Sequence, residues 1–499
     1  MEDIKPVVKP DASRLLTRIS RYLARQGVNS YLVGGFVRDI LLGRDTVDID
    51  IAVDADALDI ASGVAAALGG KFIALDDENG VGRVVLPDNE WQIDFTTLQG
   101  NIEQDLARRD FTIDALAIAL DKVASIEDLL DPFHGLADLR QKTVRAVSDG
   151  VFEADAVRLL RAVRIAAELG FNIDKHTESL IRRHSALIAP VPGERVREEL
   201  LRLLVLPGAA ERLSYLDKTG LLTAIIPELA PSRGVEQPLM HVWDVFEHSI
   251  QSVGAVEFLL REGPWEHAIP SILDAVPWSD LLKEHFEEEI GHGSTRRSLL
   301  KLAALLHDIA KPQTKTIADD GRTRFLGHPQ EGAAAAAAIM ARLRFSHREI
   351  QLVELLVKYH LRPTQMTNEG TPTRRAIYRF FRDTGETGID ILFLSLADHL
   401  AARGLSLDEK YWREHTTITD YILKAHFEET GLAAPPRLID GHDIMKAFGL
   451  APGPQIGELL EALKEAQAAG EVNDRQEALQ YMTRLLESAG NSEKNRLKD

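Results

Sequence analysis

The hydrophobic repeat of this chain changes near Val144, and that change limits what the chain can fold into. Before it, short β-rich runs are interleaved with helix-period segments from about Ser13 to Leu120: Tyr31-Leu32-Val33, Ile49-Asp50-Ile51-Ala52-Val53, Arg83-Val84-Val85-Leu86 and Trp91-Gln92-Ile93-Asp94-Phe95. After it, apolar residues recur at helical spacing, as in Val157-Leu160-Ala162-Ile165-Leu169, and the strand signal vanishes. The expected fold class is α+β and multidomain: a head built on a small mixed sheet with helices, then an all-α remainder.

At 499 residues the chain exceeds what one core holds. Pro190, Pro192, Pro227, Pro231 and Pro238 punctuate the helical part and place a boundary near 230–238, with a second break at Pro435-Pro436. Four parts follow: a head over 1–140, a helical neck and body over 141–235, a further domain over 236–405, and a helical tail over 406–499. Residues 262–297, an acidic stretch that contains Pro and His, look like an insertion or an exposed loop in the third part.

With 45% hydrophobic and 27% charged residues, the composition is that of a soluble globular protein. The alanine-rich run at 333–341 is far too short to cross a membrane. Residues 1–6 are polar and carry no signal-peptide core, so a cytoplasmic location is expected. Absence of cysteine excludes disulfides, thiolate zinc sites and cysteine nucleophiles. A net charge of −19 argues against a sequence-blind nucleic-acid binder, and no DNA partner is expected. RNA would need a local patch, and the stretch 138–164 offers one, where Arg140, Lys142, Arg145, Arg158, Arg161 and Arg164 outnumber Asp138, Asp149, Glu153 and Asp155.

Asp48 and Asp50 stand two apart in a strand, so they share a face while Ile49 and Ile51 turn to the core. Two carboxylates on one face suit Mg²⁺, a hard ion that takes oxygen ligands and leaves positions for substrate phosphates. Gly34 and Gly35 follow the first apolar run and open a helical pattern, where backbone amides approach phosphate oxygens with no Cβ in the way. Gly34-Gly35-Phe36-Val37-Arg38-Asp39 and the Asp48-Ile49-Asp50 strand together resemble the signature of the polymerase β-like nucleotidyltransferase superfamily.

Arg108-Arg109-Asp110-Phe111-Thr112-Ile113-Asp114-Ala115 narrows the resemblance to class II tRNA nucleotidyltransferases, the group of CCA-adding enzymes and poly(A) polymerases, although the family usually has Asn where Asp114 stands. Paired guanidinium forks suit a triphosphate. Asp94 is a candidate third carboxylate. Asp131-Pro132-Phe133-His134-Gly135 resembles the hinge between head and neck, with His134 in a glycine's place. The stretch from Phe152 to Arg161 resembles the family's base-reading helix, with Ala154 where many relatives carry Glu. Asp155 and Arg158, at i and i+3, share a helix face and can meet the Watson–Crick edge of C or A; an ordinary intrahelical ion pair has the same spacing. Glu194-Arg195-Val196-Arg197-Glu198 resembles a neck signature in which Arg195 and Glu198 brace the pocket. Dense over about 28–205, the resemblance implies nucleotide binding by Gly34, Gly35, Arg38, Arg108, Arg109, Asp110, Asp155, Arg158, Arg161, Arg195 and Glu198, with Asp48 and Asp50 as the catalytic, metal-holding carboxylates.

The reaction so implied is attack of a tRNA 3′-hydroxyl on the α-phosphate of CTP or ATP, with pyrophosphate leaving in a two-metal scheme. The connection from Phe95 to Ala107 is shorter than the flexible loop of full CCA-adding relatives, which is linked with switching from C to A. The product is therefore full CCA, CC alone or A alone. A poly(A) polymerase, or a phosphohydrolase whose head only binds RNA, are the alternatives.

His307-Asp308 sits in an apolar helix pattern where a buried charged pair calls for a ligand. With His248 upstream, His328 and His360 between, and Asp398 downstream, the order resembles the HD phosphohydrolase superfamily. Imidazoles with carboxylates suit Mn²⁺, Fe, Ni²⁺ or Mg²⁺. His241 is a candidate to support these ligands. The resemblance implies phosphatase or cyclic-phosphodiesterase activity on RNA ends, and the segment from Leu438 to Gly457 resembles the tail of HD-containing bacterial members.

Overall fold

The computed structural model describes residues 7–87, 91–123, 128–238, 241–367, 370–430 and 438–496. Residues 1–6 and the Pro435-Pro436 break lie outside the described residues. By internal contacts the chain forms two units, 1–206 with 214–227, and 207–213 with 228–499.

In the first unit, seven strands make one sheet in the order β3-β4-β5-β2-β1-β6-β7. They are β1 (Ser30–Val33), β2 (Asp48–Val53), β3 (Lys71–Asp76), β4 (Val81–Val85), β5 (Gln92–Thr97), β6 (Ala117–Ala119) and β7 (Leu129–Leu130). Only β2 and β5 pair parallel, so the sheet is mixed as expected. Their connection contains the helix Ala57–Leu68, whose N-terminal amides at Leu58 and Asp59 donate to the Asp56 carboxylate. Ile49, Ile51, Val84, Ile93 and Phe95 are buried on one face. In register, Asp48 lies opposite Gln92 and Asp50 opposite Asp94, so the carboxylates gather on the other face. The helical part of this unit packs Arg158–Leu169 against Gly193–Val205, burying Leu159, Leu160, Val196, Leu200 and Leu204.

Strand also occurs beyond Val144, where the sequence pattern gave none. Thr143–Val144 pairs with Asn172–Ile173, Glu289–Gly291 with Ser294–Thr295, and Lys315–Ile317 with Thr323–Phe325. Ladders of two or three residues are too short for an alternating pattern to develop.

The second unit packs the helices Val245–Leu259, Arg296–Leu306, His328–Arg342, His347–Tyr359 and Thr387–Arg403 on one another. The segment 262–297 is not an exposed loop. Trp265, Ile272, Leu282, Phe286 and Ile290 are buried, Trp278 stacks on Phe286, and Arg296 and His285 both meet the buried Asp390 at 3.0 Å. Its apolar residues lie in short runs such as Ile272-Leu273 and Leu281-Leu282 among charged and polar ones, which hides a packed face from a charge count. The tail forms its own core from Ile439, Ile444, Leu459, Leu463, Val472 and Met482. No described helix is long and apolar enough to cross a membrane.

Candidate active site and metal centre

The head site is assembled where β1 runs into the helix Gly34–Leu42. Gly34 has φ 69°, and a Cβ there would lie 2.7 Å from Arg109 Nη1 and 3.0 Å from Asp50 Oδ2. The missing side chain leaves room at the turn for the Arg109 guanidinium and the Asp50 carboxylate, which both crowd the place a Cβ would take. Asp48 is exposed and Asp50 half-buried. Burial pushes the Asp50 carboxyl up to about 6; Arg109 opposes this, and the carboxylates of Asp94 and Asp48 add to it. Two carboxylates from one strand face, with no base or thiol among them, form an all-oxygen donor set that fits a divalent hard cation. Asp94 joins the row, but both its oxygens accept from Arg83, at 2.7 and 2.8 Å. Arg38 donates to Asp39 at 2.9 Å and to Asp114 at 2.8 Å, so Asp114 serves as its counter-ion.

A cavity of about 590 Å³ is lined by Arg108, Arg109, Asp110, Arg158 and Arg161, together with Asn79, Gln99, Ser148 and Ala154. Asp48 and Asp50 are not among its lining residues. Asp110 is buried, yet Arg161, 3.1 Å away, holds it below the usual carboxylate range. Arg158 donates to the Arg108 carbonyl at 2.9 Å and stands 4.0 Å from Asp155; the two do not share a helix face as expected, because Asp155 is extended between the helices Val151–Ala154 and Arg158–Leu169. Asp155 is instead gripped by Arg195 through two hydrogen bonds, at 3.0 and 2.8 Å. Glu198 is exposed. The adjacent Glu199 is the buried one, accepting from Arg161 at 3.5 Å and Arg164 at 2.5 Å. Sequence reading overlooked Glu199, whose signal was a carboxylate three residues after Val196 on the apolar stripe of its helix. It also overlooked Arg83 and Asp105, the latter 3.5 Å from Arg109. His134 adopts φ 61° where the helix Gly135–Arg140 begins, a left-handed conformation that explains why a glycine is the commoner residue there.

In the second unit, His307, His328 and His360 share one device. Each Nδ1 lies 2.7 Å from the backbone carbonyl three residues earlier, at Ala304, Phe325 and Val357. In each neutral ring that hydrogen bond places the proton on Nδ1 and the lone pair on the inward-facing Nε2; in His307 the neighbouring Asp308 favours a second proton there. All three Nε2 atoms converge on Asp308: His307 at 3.2 Å from Oδ2, and His328 and His360 at 3.4 and 3.9 Å from Oδ1. His248 Nε2 lies 3.0 Å from Asp398 and 3.6 Å from Asp308. Three donor groups result, His241–His248–Asp398, His248–His307–Asp308 and Asp308–His328–His360, each with its ligand atoms within 4.8 Å of one another. Burial holds His248 below its usual value and His360 at about 3, whereas Asp308 overrides burial and pulls His307 up to about 10. Buried Nε2 atoms of His248 and His307 and both Asp308 oxygens make no hydrogen bond. Such orphaned, convergent donors fit a divalent metal. Lys311 Nζ, 2.5 Å from Asp308 Oδ2, is held by Gln237 at 2.6 Å.

These features define a nucleotidyltransferase head joined to a helical domain with a histidine–aspartate metal centre. The matching family models are the poly A polymerase head domain over residues 30–145, the probable RNA and SrmB-binding site of polymerase A over 170–232, and the HD domain over 279–403. An A-adding tRNA nucleotidyltransferase of Deinococcus radiodurans is 36% identical, covering 92% of this chain and 96% of the relative. A CC-adding tRNA nucleotidyltransferase of Geobacter sulfurreducens is 35% identical, covering 93% of each. The chain belongs to the tRNA nucleotidyltransferase family. Thermotoga maritima CCA-adding enzyme complexed with tRNA, 22% identical, has the same fold over 96% of both chains, with a TM-score of 0.61.

Proposed function

We propose that this chain extends tRNA 3′ ends with C from CTP, leaving the terminal A to a second enzyme. The observation that carries this reading is the connection after β5. From Leu98 to Ala107 it is short, and half of it is a helix, Ile102–Leu106, closed by a capping box between Asn101 and Gln104 and anchored by the buried Leu106. A tied-down connection leaves little chain to reshape the pocket between C and A. Relatives that span nearly the whole chain are named for adding CC or A alone. Addition of the terminal A only is the second reading, favoured by the Deinococcus relative at 36% identity.

In this reading Asp48 and Asp50 hold Mg²⁺, which when bound neutralises the triphosphate and acidifies the attacking hydroxyl. Arg108 and Arg109 orient the triphosphate, with Gly34, Gly35 and Arg38 shaping the turn beneath it. Asp155, aligned by Arg195, and Arg158 read the base, and Asp110 with Arg161 ties the head to the base-reading helix. tRNA and CTP are the ligands of this reading, and ATP takes the place of CTP in the second. The second centre, from His248, His307, Asp308, His328, His360 and Asp398, hydrolyses phosphate esters at RNA ends with a bound divalent metal, and His241 supports it. The protein acts in the cytoplasm. Comparison of Asp48→Ala with His307→Ala tests the division of labour. The first should abolish incorporation and spare phosphatase activity, and loss of incorporation in the second would overturn it.

A further inference from the structure

Arg83, on β4, sits outside every motif recognised in the sequence, yet it belongs to the row of side chains that crosses the sheet through the proposed synthetic centre. Its antiparallel partner in register is Asp94, and Asp94 is in turn the parallel partner of Asp50. Residues opposite one another in adjacent strands project to the same face, so Arg83, Asp94 and Asp50 stand in line. The fork of Arg83 takes both Asp94 oxygens, Nε to Oδ1 at 2.7 Å and Nη2 to Oδ2 at 2.8 Å. A bidentate pair of this kind fixes the carboxylate's rotamer, neutralises its charge and takes one lone pair on each oxygen. On the other side of Asp50, Arg109 pairs with Asp105 at 3.5 Å, and no such fork closes over Asp48 or Asp50 among the described residues. Arg83 keeps a third of its side chain exposed and Asp94 about a quarter, so the pair borders solvent and can be exchanged.

We infer that Arg83 is a positioning residue of the synthetic centre: it holds Asp94 off the metal ions and so sets how tightly Asp48 and Asp50 bind them. This rests on the assignment of Asp48 and Asp50 as the metal carboxylates. With Arg83 in place, the row offers two free carboxylates and one that is neutralised. Without it, a third anionic oxygen donor becomes available beside Asp50 and a competing positive charge is gone, and both changes favour a divalent cation.

The test is Mn²⁺ binding to the full-length protein, followed by the electron paramagnetic resonance of the free ion, with the isotherm of an Asp48→Ala/Asp50→Ala variant subtracted to remove the histidine–aspartate centre. Arg83→Ala should bind Mn²⁺ at the head several-fold more tightly than the parent, and the Mg²⁺ midpoint for incorporation should fall in step. Arg83→Lys, which keeps the charge but not the fork, should lie between. Asp94→Asn should weaken binding, because it frees the Arg83 charge beside Asp50. The double variant Arg83→Ala/Asp94→Asn should return close to the parent, a result that loss of fold cannot mimic. Unchanged or weaker binding in both Arg83→Ala and Arg83→Lys would overturn the inference alone. If the Asp48→Ala/Asp50→Ala variant loses no class of Mn²⁺ site, the assignment of those two carboxylates falls with it.

Discussion

The Asp155 carboxylate accepts both arms of the Arg195 guanidinium, at 3.0 and 2.8 Å, across a gap of forty residues between the extended residue that precedes the helix Arg158–Leu169 and the helix Gly193–Val205. This pair, rather than the loose contact with Arg158, orients the acceptor proposed to meet the incoming base. Arg195→Ala should therefore lower kcat/KM for the nucleotide by about 10- to 100-fold, roughly 1.4–3 kcal/mol, and weaken discrimination between CTP and ATP. Arg195 is nearly half exposed, so the melting temperature should hardly move. Steady-state kinetics with each nucleotide checks this, and unchanged selectivity contradicts it.

Gly34→Ala tests the space at the turn that Arg109 and Asp50 both border. The left-handed φ of 69° makes the substitution destabilising by about 1 kcal/mol, and the new methyl would fall 2.7 Å from Arg109 Nη1. Arg109 has to move, so single-turnover incorporation should fall by roughly 100-fold, far beyond the stability effect. Denaturant unfolding beside rapid-quench kinetics separates the two.

Asp50 makes the head's metal binding pH-dependent. Burial raises its carboxyl from 3.8 to about 6. A raised acid binds its proton more tightly when folded, so its contribution to the stability of the metal-free protein is present below 3.8 and is lost as pH climbs through about 6. Mg²⁺ competes with that proton. The apparent Mg²⁺ affinity should rise up to pH about 6 and then level off. Mg²⁺ titrations of incorporation across that range measure it, and the slope should vanish in Asp50→Asn along with most activity.

Metal removal should act on the second unit. The Nε2 atoms of His248 and His307 and Asp308 Oδ1 are buried and make no well-aligned hydrogen bond, and a bound cation would satisfy them only in the folded state. Mn²⁺ or Ni²⁺ at a hundred-fold excess over its Kd for this centre should stabilise the second unit by about 2.7 kcal/mol relative to protein treated with chelator, and Asp308→Asn should abolish that gain while Asp48→Ala/Asp50→Ala leaves it in place. Calorimetry with and without chelator reads this directly.

Much of this architecture was legible because the relevant residues break local expectation. Asp48 and Asp50 interrupt an apolar strand, His307-Asp308 interrupts an apolar helix, and Gly34-Gly35 follows a strand end. Four strands were visible from their runs, whereas β3, β6 and β7 were not: β3 is a largely exposed edge strand, and β6 and β7 are only three and two residues long. The packing of 262–297 was hidden by its charge. Within the site, motifs named the neighbourhood but not always the partner. Glu199, beside the exposed Glu198, takes the buried ion pairs, and Arg83 pairs with Asp94 only through strand register, which no local sequence signal announces.

The central claim is that the head adds C, and only C, to tRNA 3′ ends. The most direct measurement incubates the purified protein with Mg²⁺ and labelled CTP or ATP on tRNA ending before CCA, after C and after CC, with products resolved to one nucleotide. The account predicts two C residues on the first substrate, one on the second and no A on the third. Addition of A to the CC-ended tRNA, or long A-tails on unrelated RNA, would contradict it.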